Sequence, residues 1–357
     1  MHGPHSRVVE RSSVAVEPRA CAVVVAPTTD ACSISAVGLT KRFGSAWALR
    51  GATLRLPQHG VVGILGPNGA GKTTLIRMFA GVLAPDDGEL TVDGIDARVN
   101  AQQARAAVGY LPESAPLYPE LTVREYLKFR ADLAGVPRAQ REHHIATSME
   151  HADVTSFAHR CCGTLSKGMQ QRVGLAAAIL AQSRIIILDE PSVGLDPAQA
   201  LRFRALVRQL GDTRLVLLSS HLLSEVESVC SQIVVIAHGR VLAHESMSAF
   251  RARALEGSSY CAESDRAIAG DPIIAKLCTS ITQSTTADGW TRTIFSAPAT
   301  SNAREVFARV ALREGITVRV LERADASLES VFVALVHSSA AQEAASLPCN
   351  VANEANT

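Results

Sequence analysis

The sequence lacks any apolar run long enough to cross a membrane. Its 357 residues hold no stretch near the roughly 18 apolar residues that a spanning helix needs. The most apolar runs, VVGIL from Val61 and RIIIL ending at Leu188, have the length of strands. CAVVVAP from Cys21 is too short for a signal peptide and follows several charges. We therefore expect a cytoplasmic chain whose membrane function, if any, depends on another chain.

The sequence also lacks a charge imbalance and a cysteine motif. Thirty-five basic and 34 acidic residues leave a formal net charge of +1, which gives nucleic acid no global electrostatic reason to bind. The eight cysteines show no C-x-x-C spacing. That pattern favours scattered, reduced thiols over a disulfide framework or a metal site.

The composition and hydrophobic periodicity of the chain change three times, which predicts four segments. Residues 1–33 have no periodicity and are predicted to be a flexible extension. Over residues 34–250, short β-branched runs alternate with helical stretches, which predicts an α/β domain with a largely parallel sheet. Residues 255–337 contain TRTIF, ITVRVL and the helical SLESVFVALV, typical of a small α+β appendage, and 338–357 are predicted to be disordered.

A phosphate-binding loop is predicted directly after the run VVGIL. GPNGAGKTT matches G-x-x-x-x-G-K-[ST] and stands between a predicted strand and a predicted helix. Glycines let backbone N–H groups surround phosphate oxygens, and the helix dipole adds positive potential. A glycine-rich turn beside a chance Lys-Thr is the alternative. The predicted nucleotide-binding residues are Gly66, Pro67, Asn68, Gly69, Ala70, Gly71, Lys72, Thr73 and Thr74.

Two carboxylates end a second aliphatic run, IIILDEP. Asp189, at the predicted strand tip, is placed to hold Mg²⁺ together with the Thr73 hydroxyl. Glu190 can polarise a water molecule for attack on the γ-phosphate, and Lys72 can reach the β- and γ-phosphates. Two acids at a helix cap are the alternative. Because the sequence offers no acceptor-substrate site of a kinase, water is the expected acceptor.

The stretch TLSKGMQQR, from Thr164, precedes the apolar helical run VGLAAAIL. Taken locally, it predicts a helix N-cap in which Ser166 satisfies free backbone N–H groups while Gln170 and Gln171 face water. A second helix start is explicit at Thr122, where Thr-Val-Arg-Glu forms a capping box.

Four motifs together resemble the ATP-binding subunits of ABC transporters. They are GPNGAGKTT, LSKGMQQR, LDEPSVGLDP and SSH from Ser219, in the family's order, and the resemblance covers roughly residues 35–245. It implies a P-loop ATPase domain with a RecA-like core, an antiparallel β subdomain and a helical signature subdomain. It also implies ATP and Mg²⁺ as cofactors, and two subunits arranged head to tail, because the chain has one P-loop and one signature segment.

The resemblance assigns roles to further residues. Phe43 matches the aromatic that stacks on adenine, against the alternative of a core aromatic at a strand end. His221 matches the histidine that senses the γ-phosphate. Ser166 and the backbone of Gly168 match the groups that bind the γ-phosphate held by the second subunit. Asp196 matches the segment that crosses between the subunits.

Three positions depart from the family pattern. Lys167 stands where glycine is common, Met169 stands where glutamine is common, and Glu113 replaces the usual glutamine of the loop that faces the membrane subunit. Lys167 adds a charge near the partner's phosphate, and Glu113 is expected to contact the metal or water differently from an amide.

GYLPESAPLYPEL and ADASLESVFVAL are similar to the type-2 exporter subgroup, which implies a separate membrane permease and a peripheral location for this chain at the cytoplasmic face of the cell membrane. The partner ATPase is either a second copy or a related subunit. A soluble ABC ATPase acting on ribosomes or DNA is the alternative, but the chain has neither two cassettes nor long coiled coils. A non-hydrolysing cassette is disfavoured because Lys72, Asp189, Glu190 and His221 are all present.

Overall fold

The computed structural model describes residues 32–192, 194–267, 271–278, 280–286, 288–298, 302–324, 328–329, 331–333 and 335–336. The predicted extension, apart from residues 32 and 33, and the predicted tail lie outside this part of the chain. The strands are β1 (Ile34–Phe43), β2 (Ala46–Leu56), β3 (Gly60–Leu65), β4 (Asp87–Val92), β5 (Ile95–Asp96), β6 (Val108–Leu111), β7 (Ile185–Asp189), β8 (Leu215–Ser220), β9 (Gln232–Ala237), β10 (Arg240–Ser246), β11 (Gly257–Ser264), β12 (Ser280–Thr285), β13 (Thr291–Pro298) and β14 (Val318–Ala324).

The α-helices are interspersed with these strands along the chain. They are α1 (Lys72–Phe79), α2 (Ala101–Ala106), α3 (Val123–Leu133), α4 (Arg141–His151), α5 (Lys167–Ile179), α6 (Pro197–Gly211), α7 (Leu223–Val229), α8 (Met247–Glu256), α9 (Pro272–Leu277) and α10 (Ala303–Arg313). Within the described residues, no helix is long and apolar enough to span a membrane.

A six-stranded sheet in the order β10-β9-β3-β8-β7-β6 forms the centre of the ATPase part. Its strands are parallel except for the β9–β10 hairpin, as the sequence predicts. Successive residues of β7 belong to different hydrophobic clusters, Ile186 and Leu188 to one and Ile185 and Ile187 to the other. The sheet is therefore buried on both faces, which explains its continuous aliphatic runs.

Two further layers complete the ATPase part. An antiparallel sheet in the order β2-β1-β4-β5 packs with α1 against one face of the central sheet. On the other face, α3 to α5 form a helical subdomain whose apolar residues belong to the same cluster as Ile186 and Leu188. Helix α3 begins with the predicted capping box of Thr122 and Glu125, and Val123, Tyr126 and Leu127 are buried on one face.

The C-terminal part contains a four-stranded antiparallel sheet in the order β12-β13-β11-β14. Its chain order is β11-α9-β12-β13-α10-β14, a split β-α-β arrangement. The two helices cover one face of this sheet, around Phe295 and Phe307. The helical residues of the predicted SLESVFVALV helix pack elsewhere, because Leu328, Val331, Phe332 and Leu335 contact the core of the ATPase part.

Candidate functional site

The loop between β3 and α1 requires glycine for its shape. Gly71, the N-cap of α1, has φ 105°, and a Cβ atom there would lie 2.5 Å from the carbonyl oxygen of Ala48. Gly69 has φ 77°. L-residues with side chains rarely adopt these conformations, so the glycines allow the backbone to curl in front of the helix. Strand, loop and helix follow one another as the motif predicts.

The Lys72 side chain is buried beneath this loop. Its Nζ donates to the carbonyl oxygens of Gly66 at 2.7 Å and Pro67 at 3.2 Å. Burial lowers the pKa of the ammonium group, while the negative charges of Glu190, Asp189 and Glu113 oppose that shift. Among the described residues, the hydrogen-bond acceptors of this ammonium group are these two neutral carbonyl oxygens, and an anionic ligand would supply acceptors that balance its charge.

Ser219 joins the two carboxylate-bearing residues at the end of β7. Strands β7 and β8 are parallel neighbours, and Asp189 stands opposite Ser219. The Ser219 hydroxyl donates to Asp189 Oδ1 at 2.6 Å and accepts from the backbone N–H of Glu190 at 3.0 Å. One hydroxyl therefore fixes both the Asp189 carboxylate and the backbone of the next residue.

Glu190 has an unusual backbone conformation. Its φ is 50°, which costs a residue with a side chain on the order of 1 kcal/mol. The bond from its N–H to Ser219 helps to hold this conformation. Its Oε2 atom lies 2.8 Å from Nδ1 of His221, in the turn that follows β8. The structure thus brings the predicted water-activating carboxylate and the predicted γ-phosphate sensor into contact.

The second oxygen of Asp189 is a buried acceptor that has no partner among the described residues. Burial raises the pKa of this carboxyl, and the hydrogen bond from Ser219 opposes the rise. No group of three or more metal-binding side chains occurs in the described part of the chain. Mg²⁺ at a nucleotide needs only one or two protein oxygens beside phosphates and waters, so this orphan oxygen with the Thr73 hydroxyl fits that ion.

Most of the predicted phosphate-binding residues line one open cleft of about 370 Å³. Gly66 and Pro67 lie behind it, where their carbonyl groups accept from Lys72. Phe43 ends β1 with 54% of its surface exposed, so the alternative of a core aromatic is wrong. The lining residues are Ala48, Asn68, Gly69, Ala70, Gly71, Lys72, Thr73, Thr74, Glu113, Glu190 and His221.

The signature segment lies apart from this lining. Ser166 is the N-cap of α5 and accepts from the N–H of Met169 at 3.3 Å, so the local prediction of a cap is confirmed. The expectation that both glutamines face water is wrong. Gln171 is only 5% exposed, and Gln170 is half-buried and donates to the carbonyl oxygens of Cys162 and Leu165. Helix α5 packs into the core along this side, so these two glutamines are partly or fully enclosed.

The SSH motif is visible in the sequence, but the sequence alone gives no role to its serines. Ser219 bonds to Asp189, and Ser220 donates to Glu225 at 2.6 Å. The available signal was the position of both serines at the end of a buried strand, where a buried hydroxyl needs a partner. Their partners follow only from the order of strands in the sheet.

Comparisons with known proteins agree with this geometry. A sequence profile described as "ABC transporter" matches residues 49–193. An uncharacterized ABC transporter ATP-binding protein of Bacillus subtilis, YdbJ, is 37% identical over 59% of this chain and 68% of its own length. Nod factor export ATP-binding protein I of a Rhizobium species is 32% identical over 85% of this chain and 96% of its own length.

Solved structures share the fold of the ATPase part. An ATP-binding subunit of an ABC transporter superposes with a TM-score of 0.57 and 27% identity, over 62% of this chain and 92% of that one. The dimeric cassette MJ0796, in a post-hydrolysis state with ADP and phosphate, superposes with a TM-score of 0.56 and 24% identity, over 60% of this chain and 98% of that one.

The fold and the cleft define a P-loop ATPase. The chain belongs to the ABC transporter family and is one of its ATP-binding subunits, as the sequence predicts. It binds ATP, as this family of ATP-binding subunits does. The relatives and structures described here are components of transporters or their cassettes and give the ribosome or DNA alternative no support.

Proposed function

We propose that two of these ATPase subunits bind Mg²⁺-ATP between them and thereby drive a separate type-2 permease that exports cargo from the cell. The observation that carries the proposal is the division of the site. The P-loop, Glu190 and His221 share one cleft, whereas Ser166 and Gly168 do not line it. A head-to-tail pair would bring the signature segment of one subunit to the cleft of the other.

Within the cleft, each residue has a distinct task in this proposal. Backbone N–H groups from Asn68 to Thr74 and the Lys72 ammonium bind the β- and γ-phosphates, with the end of α1 behind them. Thr73 and Asp189 would hold Mg²⁺, which neutralises phosphate charge when it is bound. Phe43, exposed at the end of β1, stacks on the base.

The contact between Glu190 and His221 positions the groups of the proposed hydrolysis step. The Glu190 carboxylate accepts a proton from water as the water attacks the γ-phosphate, the bond from the γ-phosphorus to the bridging oxygen breaks, and ADP leaves. His221 holds that carboxylate in place. Glu113 lines the same cleft and carries negative charge toward Lys72 and Asp189. It is proposed to report nucleotide occupancy to the loop that follows it.

The role in export rests on two kinds of support. The Nod factor export protein is similar to this chain over 96% of its own length. The described residues contain no helix that could cross a membrane, and we assign the transport pathway to a separate permease. The ATPase subunits would lie at the cytoplasmic face of that permease, as a homodimer or with a related subunit.

Mixing two inactive variants tests the shared site. In Ser166→Asp, a carboxylate faces the partner's γ-phosphate and should block ATP-driven closure, although Asp caps a helix as well as Ser does. In Lys72→Ala, a charge-assisted bond to phosphate is lost, which should weaken ATP binding by about 1.5 to 3 kcal/mol. A mixed dimer carries both lesions at one site and neither at the other.

We expect each variant alone to be inactive and the mixture to recover part of the hydrolysis. Ser166→Asn, which also caps a helix but adds no charge, is the matched control and should keep more activity than Ser166→Asp. If the Ser166→Asp homodimer is fully active, Ser166 is a helix cap and nothing more, and the shared site is refuted.

A further inference from the structure

The helix that begins at the signature segment and the helix that follows Asp196 lie against each other at their first turns. A Cβ atom at Gly168 would come within 2.4 Å of the carbonyl oxygen of Gly194, and within 3.9 Å of the side-chain oxygen of Gln199. Gln199 and Asp196 form the capping box of α6. The first turn of α5 therefore rests on the loop and cap that begin α6.

Further along, both helices reach the same carboxylate. Asp153 follows α4, and its Oδ2 atom lies 3.1 Å from Arg172 of α5 and 3.3 Å from Arg202 of α6. Its carbonyl oxygen also accepts from Arg172 at 2.8 Å. We call these three residues, Asp153, Arg172 and Arg202, the clasp. It connects the helical subdomain to the α6 side of the ATPase core.

The two arginines of the clasp differ in exposure: Arg172 is largely buried, and Arg202 is exposed to solvent. Asp153 has φ 54°, a backbone conformation that turns the chain sharply after α4. The Arg172 side chain is 15% exposed and stacks over the Phe157 ring at 5.1 Å. The Arg202 side chain is 64% exposed. The buried Arg172 side chain thus holds the Asp153 carboxylate in position, and the Arg202 side chain pairs with it from the solvent-exposed side.

The contact surface beneath the clasp is mostly apolar and incompletely filled. A crevice of about 30 Å³ lies between α5 and α6 and includes Leu175, Phe203 and Leu206 in its lining. Two buried donors at this place, Nε2 of Gln171 and Nε of Arg172, have no hydrogen-bond partner within the described residues. Apolar contacts have little directional preference, whereas the clasp's ion pairs depend on geometry.

We propose that Asp153 is a positioning residue: it holds α5 at a fixed orientation to α6, so that Ser166, Gly168 and Asp196 are presented to the second subunit as one unit. This inference rests on the proposed function. Exposed ion pairs add little to the stability of a fold, so the effect of the clasp should appear in assembly. If the unit is loosened, a smaller fraction of subunits is ready to bind the partner, and apparent affinity falls by that fraction.

Asp153→Asn tests the inference with little change of shape, because Asn keeps the size of the side chain and tolerates a positive φ. The variant is made in a Glu190→Gln background, and ATP-driven dimerisation is measured by analytical ultracentrifugation. We expect dimerisation to weaken about threefold to tenfold, the scale of one lost ion pair of modest strength. Binding of ATP to the monomer should not change, because the P-loop is untouched.

A second pair of variants separates positioning from folding. Arg202→Gln removes the exposed ion pair with Asp153 and should also weaken dimerisation. Arg202→Lys keeps the positive charge and should dimerise more strongly than Arg202→Gln. Arg204→Gln makes the same chemical change two residues along α6, where no ion pair to this side chain is found in the described part of the chain, and should behave as wild type. Hydrogen exchange at residues 167–172 should rise in Asp153→Asn and Arg202→Gln alone.

Each outcome decides between the alternatives. Equal dimerisation of the parent, Asp153→Asn and Arg202→Gln overturns the clasp, and so does a loss shared by Arg204→Gln. If Asp153→Asn does not fold, Arg202→Gln and Arg202→Lys give the answer alone. A Glu190→Gln parent that does not dimerise with ATP contradicts the proposed function, which is a different failure.

Discussion

Ser219 shows how much of the candidate site depends on a single hydroxyl group. It donates to Asp189 and accepts from Glu190, so it positions a proposed metal ligand and a proposed base at once. Its hydrogen bond also opposes the rise that burial imposes on the pKa of Asp189. A serine here favours the ionised form of the carboxylate and orients it, and a metal ligand needs both.

Ser219→Ala should therefore impair hydrolysis far more than ATP binding. A lost hydrogen bond to a charged group costs about 1.5 to 3 kcal/mol, so we expect kcat to fall about tenfold to a hundredfold. Steady-state turnover and equilibrium binding of a fluorescent ATP analogue measure the two effects separately. The ATP affinity should stay within about threefold, because Lys72 and the P-loop backbone are unchanged.

Ser220→Ala is the matched control for this prediction. Ser220 is equally buried in the same strand, but its hydroxyl donates to Glu225 and makes no bond to either acid of the site. It should lose stability without a comparable loss of kcat. Equal losses of kcat in both variants would show that Ser219 acts through packing of β8 alone.

The sequence predicted single elements well where a local pattern decides the structure. The capping box at Thr122, the aliphatic strand ending at Asp189 and the glycine loop before Lys72 all depend on neighbours in the chain. The burial of Gln171 was missed because it depends on packing against elements distant in sequence. The same reason explains the helical residues around Phe332, whose apolar side chains predict a helix but not which core they contact.

The C-terminal sheet carries a group of charged side chains that are distant in sequence and form ion pairs in the fold. Glu263 of β11 is paired with Arg292 at 2.7 Å and with Arg319 at 2.8 Å. Arg319 also bonds to Asp288 and stacks over the Trp290 ring at 4.6 Å. The hydrogen bonds from Arg319 and Thr286 lower the pKa of Asp288 to about 2, and those from Arg292 and Arg319 lower the pKa of Glu263.

These lowered pKa values predict how the stability of the C-terminal sheet changes with pH. A carboxyl group whose pKa is lower in the folded state stabilises the fold above its ordinary pKa, and this contribution is lost as the pH falls through the folded value. Arg319→Gln should therefore lower the melting temperature at pH 7. The difference from the parent protein should shrink below about pH 4 and become small near pH 2, the folded pKa of Asp288.

Trp290 fluorescence can follow this part of the chain. The sequence has two tryptophans, so a Trp47→Phe background leaves Trp290 as the single reporter. Arg309→Gln, on the exposed side of α10, is the control and should show no such pH dependence. A melting difference for Arg319→Gln that persists unchanged at pH 2 would mean that packing of Arg319 on Trp290, and not its charge, stabilises the sheet.

At the scale of the molecule, the site combines segments that are far apart in sequence. β3, which leads to the P-loop, pairs with β8, and β7 lies next to β8, so residues near positions 66, 190 and 221 meet at one edge of the sheet. The motifs predicted which residues belong to the site. They could not predict the bond between Glu190 and His221, because it depends on the strand order and on the positive φ of Glu190.

The placement of Ser166 outside the cleft gives the whole molecule its proposed mode of action. A subunit that binds ATP in its own cleft would complete the site only by meeting the signature segment of a second subunit. The free energy of ATP binding then drives the two subunits together, and hydrolysis lets the two subunits separate again. The permease would take up this motion through the loop that contains Glu113.

Glu190→Gln tests that central claim most directly. The change removes the carboxylate that accepts the proton from water but leaves the P-loop, Asp189 and Ser166 as they are. We predict that the variant binds ATP, has no measurable steady-state turnover and elutes as a dimer from gel filtration in ATP and Mg²⁺, but as a monomer without nucleotide. A variant that remains monomeric with ATP and Mg²⁺, or that still turns over ATP at the parental rate, would contradict the account.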